Sequence, residues 1–161
     1  MLITALSRAW WARPTRADLT FLVRALTAAI LGLLLAATAQ AGARSDYLLH
    51  CGGCHLENGA GNPPEVPDLR RDFDWLAGSV EGRSYLTRVP GASQVPVSDA
   101  RLASIFNWIL QTYYPDGGRV QSFTGAEVGR TRGQPLYDPL AARAEIAARQ
   151  AMAGNERSPG S

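Results

Sequence analysis

The stretch Cys51-Gly52-Gly53-Cys54-His55 contains both cysteines of the chain and one of its two histidines. A single turn of helix can present two thiols three positions apart together with the imidazole that follows them. The thiols can then reach the two vinyl groups of one porphyrin while the imidazole meets its iron. The C-x-x-C-H spacing is therefore typical of covalent haem attachment.

Two other uses of paired cysteines stay open as alternatives. A structural zinc site takes four protein ligands, and here the candidates Cys51, Cys54, His55 and His50 crowd into six consecutive positions. A thioredoxin-like dithiol is expected near a βαβ pattern, which the sequence does not show. Haem attachment is the interpretation that the spacing favours.

The N-terminal segment has the three parts of a secretory signal. Residues 1–24 carry four arginines against one acid, residues 25–37 are uncharged, and Ala39-Gln40-Ala41 is a small-x-small cleavage site. Thirteen uncharged residues fall short of the roughly 20 that a spanning helix needs. The alternative, an uncleaved anchor over residues 20–39, is interrupted by Arg24. We therefore predict a signal peptide over residues 1–41, a periplasmic or secreted product, and no stable membrane span after cleavage.

The charge balance changes once the signal is set aside. The chain has 16 basic residues, all arginine, and 14 acids. Four of the arginines and one acid precede residue 42, so residues 42–161 carry twelve arginines against thirteen acids. The sequence has no basic stripe, and nothing in this charge predicts a nucleic-acid partner.

The two cysteines of an exported chain could also form a disulfide. A disulfide between Cys51 and Cys54 would close only a tiny loop and stabilise the fold little. Haem thioethers therefore explain the two cysteines better.

The remaining 120 residues suit one small domain with a tail. We place the domain at residues 42–116 and a partly helical tail, with a disordered end from residue 155, at residues 117–161. No period-2 strand is evident, so the fold is predicted to be mainly α. A short helix from Ser45 or Asp46 as N-cap is expected to lead into the Cys51 motif.

Further helices follow from periodicity and capping residues. Residues 98–113 show the clearest pattern, with Ser98 as N-cap, an apolar i, i+3, i+4 face and Pro115 after the end. Residues 72–85 are expected to hold one or two helical turns. Residues 56–69 are rich in Asn, Gly and Pro and are predicted to form a loop. In the tail, residues 124–127 form a capping-box pattern, and Pro139 is expected to start a last, solvated helix through residue 153.

Residues 47–114 resemble the small mono-haem, class I-like c-type cytochromes of bacteria. The C-x-x-C-H is the specific part of this resemblance. Val66-Pro67-Asp68-Leu69 is similar to the family's segment after the haem histidine, residues 82–86 to its middle helix, and residues 98–108 to its C-terminal helix. The resemblance implies a class I cytochrome c-like helical domain around one covalently bound haem c.

The resemblance also implies roles for individual residues. Cys51 and Cys54 would form the thioethers, and His55 would be the proximal axial ligand. The carbonyl of Pro67 would accept a hydrogen bond from the His55 ring, and Leu69 would pack on the porphyrin. Possible propionate contacts are Arg70, Arg71 and Trp75, with surface arginines and a core tryptophan as the alternative.

The chain departs from the family at the distal ligand. The family usually supplies a methionine from the loop before the last helix, but residues 88–97 contain none. The sixth position is then open or holds water or a weak side chain such as Gln94. Met152 folding back, His50 binding the same haem, and a ligand from a partner protein are alternatives.

These expectations imply an electron carrier rather than an enzyme. The iron would cycle between Fe(II) and Fe(III), taking electrons from a dehydrogenase and passing them to an oxidase or another cytochrome. A haem-based binder of NO, CO or peroxide with an open sixth site is the first alternative, and peroxidase-like turnover is a weaker one. A non-haem domain with a metal or dithiol is the third. The tail could also dock a larger enzyme and make the chain a permanent subunit.

Overall fold

A computed structural model describes residues 16–116 and 120–156 of the chain. Over these residues the fold is mainly α, as predicted, and contains eight helices without a strand. In chain order they are α1 (Arg16–His50), α2 (Gly52–His55), α3 (Leu69–Ala77), α4 (Val80–Arg88), α5 (Pro90–Gln94), α6 (Asp99–Tyr113), α7 (Gly125–Thr131) and α8 (Pro139–Glu156).

The chain divides into two compact units, residues 1–39 and 40–161. In the first unit, residues 16–39 are helical, and the side chains of residues 19–31 are exposed. Over the described ranges, no helix is long and apolar enough to cross a membrane. Residues 1–15 of the predicted signal lie outside the described residues, and cleavage after Ala41 stays a prediction.

The helix that leads into the motif starts earlier than the sequence predicted. Neither Ser45 nor Asp46 caps it, because α1 continues through the Ala- and Leu-rich residues before them, which have high helix propensity. Asp46 is instead buried, and both of its carboxylate oxygens accept hydrogen bonds from the Arg101 guanidinium on α6. The carboxylate that the sequence assigned to a cap therefore ties α1 to α6.

Helix α6 confirms the sequence prediction and forms the centre of the second unit. The Ser98 hydroxyl caps it by accepting a hydrogen bond from the Arg101 amide at 3.3 Å. Most of its predicted apolar face is buried, including Leu102, Ile105 and Ile109, whereas Leu110 and Tyr113 at its end are partly exposed. Burying such a face is the main source of stability for a helix of this length.

Helices α3 and α4 are longer than the one or two turns expected between residues 72 and 85. The Asp68 carboxylate caps α3 and the Ser79 hydroxyl caps α4, each by accepting a backbone N–H hydrogen bond. Gly78 is the C-cap of α3, whereas Gly82 lies inside α4. A Cβ at Gly82 would lie only 2.1 Å from the Leu76 carbonyl oxygen, so the glycine permits close packing of α4 on α3.

The tail packs against the domain through buried apolar side chains. Phe123, Val128 and Ile146 are each at most 4% exposed and belong to the same core as α3, α4 and α6. The sequence had predicted a solvated surface for the last helix, which overlooked Ile146. Helix α8 includes Asn155 and Glu156, and residues 157–161 of the predicted disordered end lie outside the described residues.

Arg83 on α4 connects the tail to the domain. It pairs with the Glu127 carboxylate at 2.5 Å and donates to the Gln121 and Ser122 carbonyls. Its guanidinium also lies 3.8 Å from the centre of the Phe123 ring. The capping box predicted at residues 124–127 is therefore half present, because the Thr124 hydroxyl caps α7 but the Glu127 side chain binds Arg83.

Candidate functional site

The two cysteines and His55 lie on one helical turn, as the motif predicted. Cys51 follows α1, with its amide donating to the Tyr47 carbonyl at 2.8 Å. The His55 amide then donates to the Cys51 carbonyl at 2.9 Å and closes the turn of α2. Both cysteines are free thiols, Cys51 half-buried and Cys54 exposed. The turn therefore holds two free thiols and one imidazole in a fixed relation.

Cys51, Cys54 and His55 line a cavity of about 480 Å³. Pro67 and Leu69 from the following loop belong to the same wall. Helices α3 and α6 contribute mostly apolar side chains to the rest of the lining: Phe73, Leu76, Leu102, Phe106 and Ile109. The volume and the largely apolar lining are typical of a cavity that binds a small molecule or cofactor.

The His55 ring is oriented by a backbone acceptor. Its Nδ1 lies 3.1 Å from the Pro67 carbonyl oxygen. Because a carbonyl only accepts hydrogen bonds, Nδ1 carries the proton and Nε2 carries the lone pair. Metal-binding histidines commonly donate their other ring nitrogen in this way, which fixes the tautomer and raises ligand basicity. His55 is thus prepared to ligate a metal through Nε2.

The loop that supplies Pro67 folds back on itself at Gly61. The Gly61 amide donates to the His55 carbonyl at 3.0 Å, and Asn62 and Val66 exchange backbone hydrogen bonds at 2.9 and 3.0 Å. Gly61 has a φ of 60°, and a Cβ there would lie 2.4 Å from the Val66 carbonyl oxygen and 2.6 Å from that of Pro67. Glycine is therefore required where the loop passes the carbonyl that orients His55.

Three tyrosines fasten the same loop to the helices around it. The Tyr47 hydroxyl of α1 donates to the Leu56 carbonyl at 2.7 Å. The Tyr113 hydroxyl donates to the Glu57 carbonyl at 3.4 Å, and the Tyr114 hydroxyl donates to the Leu69 carbonyl. Burial raises the pKa of Tyr114 to about 12, so its hydroxyl remains a donor throughout the neutral range. Both ends of the loop are held by hydrogen bonds from outside it.

The local electrostatics favour neutral groups at the motif. Burial, together with the nearby Cys54 thiol and Asp46, raises the pKa of Cys51 to about 11. Burial also lowers the pKa of His55, although the Pro67 hydrogen bond opposes this effect. A neutral imidazole is the form that binds metals, and the neutral thiol at Cys51 retains the hydrogen that addition across a vinyl group requires.

The donor set and its surroundings fit a covalently held haem. Cys51 and Cys54 would supply the thioether sulfurs, and His55 would supply an oriented imidazole. The apolar wall on α3 and α6 would receive the macrocycle. In the part of the chain that the structure describes, no group of three or more His, Cys, Asp or Glu side chains is placed to hold a bare metal ion.

Of the distal ligands that the sequence offered, the structure brings His50 to the cavity but not Gln94 or Met152. Met152 is 61% exposed on α8 and does not line it. Gln94 is exposed at the end of α5 and does not line it either, although Val95 beside it does. His50 lines the cavity as a neighbour of Cys51.

The expected propionate contacts are also directed elsewhere. Arg70 is paired with Asp68 through two hydrogen bonds, at 2.8 and 2.7 Å, and does not line the cavity. Trp75 is 36% exposed on α3 and lies outside the lining, as does Arg71. Thus Trp75 is neither a cavity residue nor the core tryptophan of the alternative, and the arginines match the surface residues of the alternative.

Sequence reasoning missed four polar residues that do line the cavity. They are Glu65 on the loop, Asp72 on α3, Tyr85 on α4 and Arg143 on α8. Arg143 forms an ion pair with Asp72, and Pro139 and Leu140 beside it complete this wall. The periodicity of α8 could have placed Leu140 and Arg143 on one face, but no local signal connects that face with residues 51–55.

Comparisons of the chain with protein-family models, with curated proteins and with solved structures give no match.

Proposed function

We propose that this chain is an exported electron-transfer protein that carries one haem c. Cys51 and Cys54 attach the porphyrin, and His55 binds the iron. One observation carries the proposal: the C-x-x-C-H turn faces an apolar cavity, and the Pro67 carbonyl holds His55 with Nε2 free to coordinate. A haem bound there supplies an iron that changes between Fe(II) and Fe(III) by one electron.

The protein's own contribution is to position His55 and to exclude water. The Pro67 hydrogen bond fixes the imidazole in one orientation, so the ligand need not rearrange between oxidation states. Phe73, Phe106 and Ile109 are at most 5% exposed and keep the cavity wall dry. Burial and hydrogen bonding around the axial ligand are the means by which proteins set a haem potential.

Electrons would enter and leave at the edge where the cysteines lie. Cys54 is exposed, and Leu49 and Leu56 on either side of the motif are 74% and 48% exposed. An exposed apolar edge of this kind suits the small, transient contacts that redox proteins make. The expected partners are a dehydrogenase as donor and an oxidase or another cytochrome as acceptor.

A second candidate function is the binding of a small haem ligand such as NO, CO or peroxide. The observation that favours it is the composition of the cavity lining, which contains Tyr85 but neither Met152 nor Gln94. Burial raises the pKa of Tyr85, so its hydroxyl stays protonated and can donate to a ligand. An iron without a protein ligand at its sixth position would bind CO readily.

Spectra of the haem-loaded protein distinguish the two functions. An electron carrier gives a reversible one-electron titration and a ferrous Soret band that CO barely moves. A ligand binder gives a high-spin ferric spectrum and a large Soret shift with CO, and Tyr85→Phe weakens its retention of ligand. Tyr137→Phe is the matched control, because Tyr137 is fully exposed. A protein that cannot be reduced and reoxidised reversibly would contradict the carrier function.

A further inference from the structure

The C-terminal helix forms part of the cavity wall. Pro139, Leu140 and Arg143 line the cavity, and all three come from the first two turns of α8. Ile146, one turn further along, is 4% exposed in the core and anchors the helix there. The segment beyond residue 116 therefore takes part in the site as well as in the fold.

Arg143 is the only lysine or arginine among the described residues that line this cavity. Its side chain is 24% exposed, and Nη2 donates to the Asp72 carboxylate on α3. A guanidinium has five N–H donors in a planar fork, so one carboxylate at Nη2 leaves donors for a second. The site thus holds a partly buried cation that can bind a second anion beside Asp72.

The acidic side chains at the cavity would repel a carboxylate of a ligand. Glu65 and Asp68 on the loop and Asp72 on α3 line it, whereas His50 on α1 is the basic residue next to the motif. Asp68 forms an ion pair with Arg70, and Asp72 forms one with Arg143. A ligand that brings carboxylates into this cavity therefore needs the Arg143 guanidinium.

We propose that Arg143 binds a propionate carboxylate of the haem, so that α8 completes the cofactor site. This inference rests on the proposed function and gives Arg143 the contact for which the sequence offered Arg70, Arg71 and Trp75 as candidates. Tyr85 on α4 lines the same cavity as Arg143 and can donate a second hydrogen bond to the same carboxylate. Charge-assisted contacts of this kind are about twice as strong as neutral hydrogen bonds.

The test is the reduction potential of the haem-loaded protein, measured against pH. An ionised propionate favours the more positive Fe(III) state, and a paired guanidinium cancels part of that effect. Arg143→Gln is expected to make the potential more negative and to move its pH-dependent region upward, because the propionate protonates more easily without its cation. Arg143→Lys should restore most of the wild-type curve.

Arg149→Gln is the matched control on the same helix. Arg149 is 48% exposed, pairs with Glu81 and Glu145, and does not line the cavity. Its potential should follow the wild-type curve at every pH. Overlap of the Arg143→Gln and Arg149→Gln curves would overturn the inference.

A second variant covers the case in which Arg143→Gln does not fold. Asp72→Asn removes the competing carboxylate and is expected to make the potential more positive, because Arg143 then serves the propionate alone. An unchanged or more negative potential would overturn the inference. A haem stain on the wild type separates the two failures: no haem overturns the proposed function as well, whereas bound haem with unaltered potentials overturns only the assignment of Arg143.

Discussion

The Nδ1 atom of His55 lies 3.1 Å from the carbonyl oxygen of Pro67, twelve residues further along the chain. This hydrogen bond turns a histidine of a short helical turn into an oriented ligand, because it fixes both the tautomer and the ring plane. The loop between the two residues is in turn held by glycine geometry and by tyrosine hydroxyls. Predictions about the site therefore extend beyond the motif itself.

The two histidines should behave differently although both line the cavity. His55→Ala is expected to change the oxidised and reduced haem spectra, because it removes the imidazole that binds the iron. His50→Ala is the control, and it should leave both spectra unchanged. The same spectral change in His50→Ala would assign His50 to the iron and contradict the account.

Gly61 should be much less tolerant of alanine than Gly53. Gly61→Ala places a Cβ 2.4 Å from the Val66 carbonyl oxygen at a φ of 60°, and it should cost about 2 kcal/mol of stability. It should also displace the Pro67 carbonyl and thereby shift the reduction potential. A Cβ at Gly53 meets nothing within 4 Å, so Gly53→Ala should be neutral or stabilising by up to about 1 kcal/mol.

Urea unfolding of the two variants measures the difference. A Gly61→Ala protein that is as stable as Gly53→Ala would show that the loop can relax away from this close approach. The role of the loop in holding the Pro67 carbonyl would then be wrong.

The ion pair between Arg83 and Glu127 should make the free energy of unfolding depend on pH in the acidic range. The Arg83 hydrogen bond lowers the pKa of Glu127 below its ordinary value of 4.5. A carboxyl group with a lowered pKa in the folded state adds stability above its unfolded pKa and loses that contribution as the pH falls through the folded pKa. Glu127→Gln should therefore be less stable than the wild type above pH 4.5, and the gap should narrow below it.

The measurement is the free energy of unfolding of both proteins over a pH series that crosses this value. Glu81→Gln is a suitable control, because Glu81 pairs with Arg149 at an exposed position and such pairs contribute about 0–1 kcal/mol. A gap between the wild type and Glu127→Gln that stays constant into strong acid would show that the Glu127 charge adds no stability.

Substitutions at a buried and at an exposed residue of α8 should have very different effects on stability. Ile146→Ala is expected to cost about 3 kcal/mol, because Ile146 is 4% exposed and packs in the core. Met152→Ala, at a position that is 61% exposed, should change stability by less than about 0.5 kcal/mol. It should also leave the haem spectrum unchanged, since Met152 does not line the cavity. A changed spectrum would restore Met152 as a distal ligand.

Short-range signals in the sequence predicted much of this fold. The helical turn at residues 51–55, the loop after it and the Ser98 cap with the apolar face of α6 depend on residues within one or two turns of each other. Capping residues and apolar periodicity were enough to predict these elements, because contacts with distant parts of the chain do not override them. The Thr124 cap was likewise predictable from its own neighbourhood.

The errors arose where a distant partner changed the local pattern. Asp46 was expected to cap a helix but binds Arg101, and Glu127 was expected to complete a capping box but binds Arg83. The contribution of α8 to the cavity depends on Arg143 meeting Asp72, 71 positions earlier in the chain. Such contacts between distant elements have no periodic or capping signature in the sequence.

The most direct test of the central claim is the detection of covalently bound haem. The protein is expressed with a haem-attachment system, denatured, separated by electrophoresis and stained for haem, with the Cys51→Ser, Cys54→Ser double variant beside it. The account predicts that haem stays with the wild-type chain after denaturation, with the mass of one haem added, and is absent from the double variant. A wild-type chain without bound haem, or haem bound equally to both proteins, would contradict it.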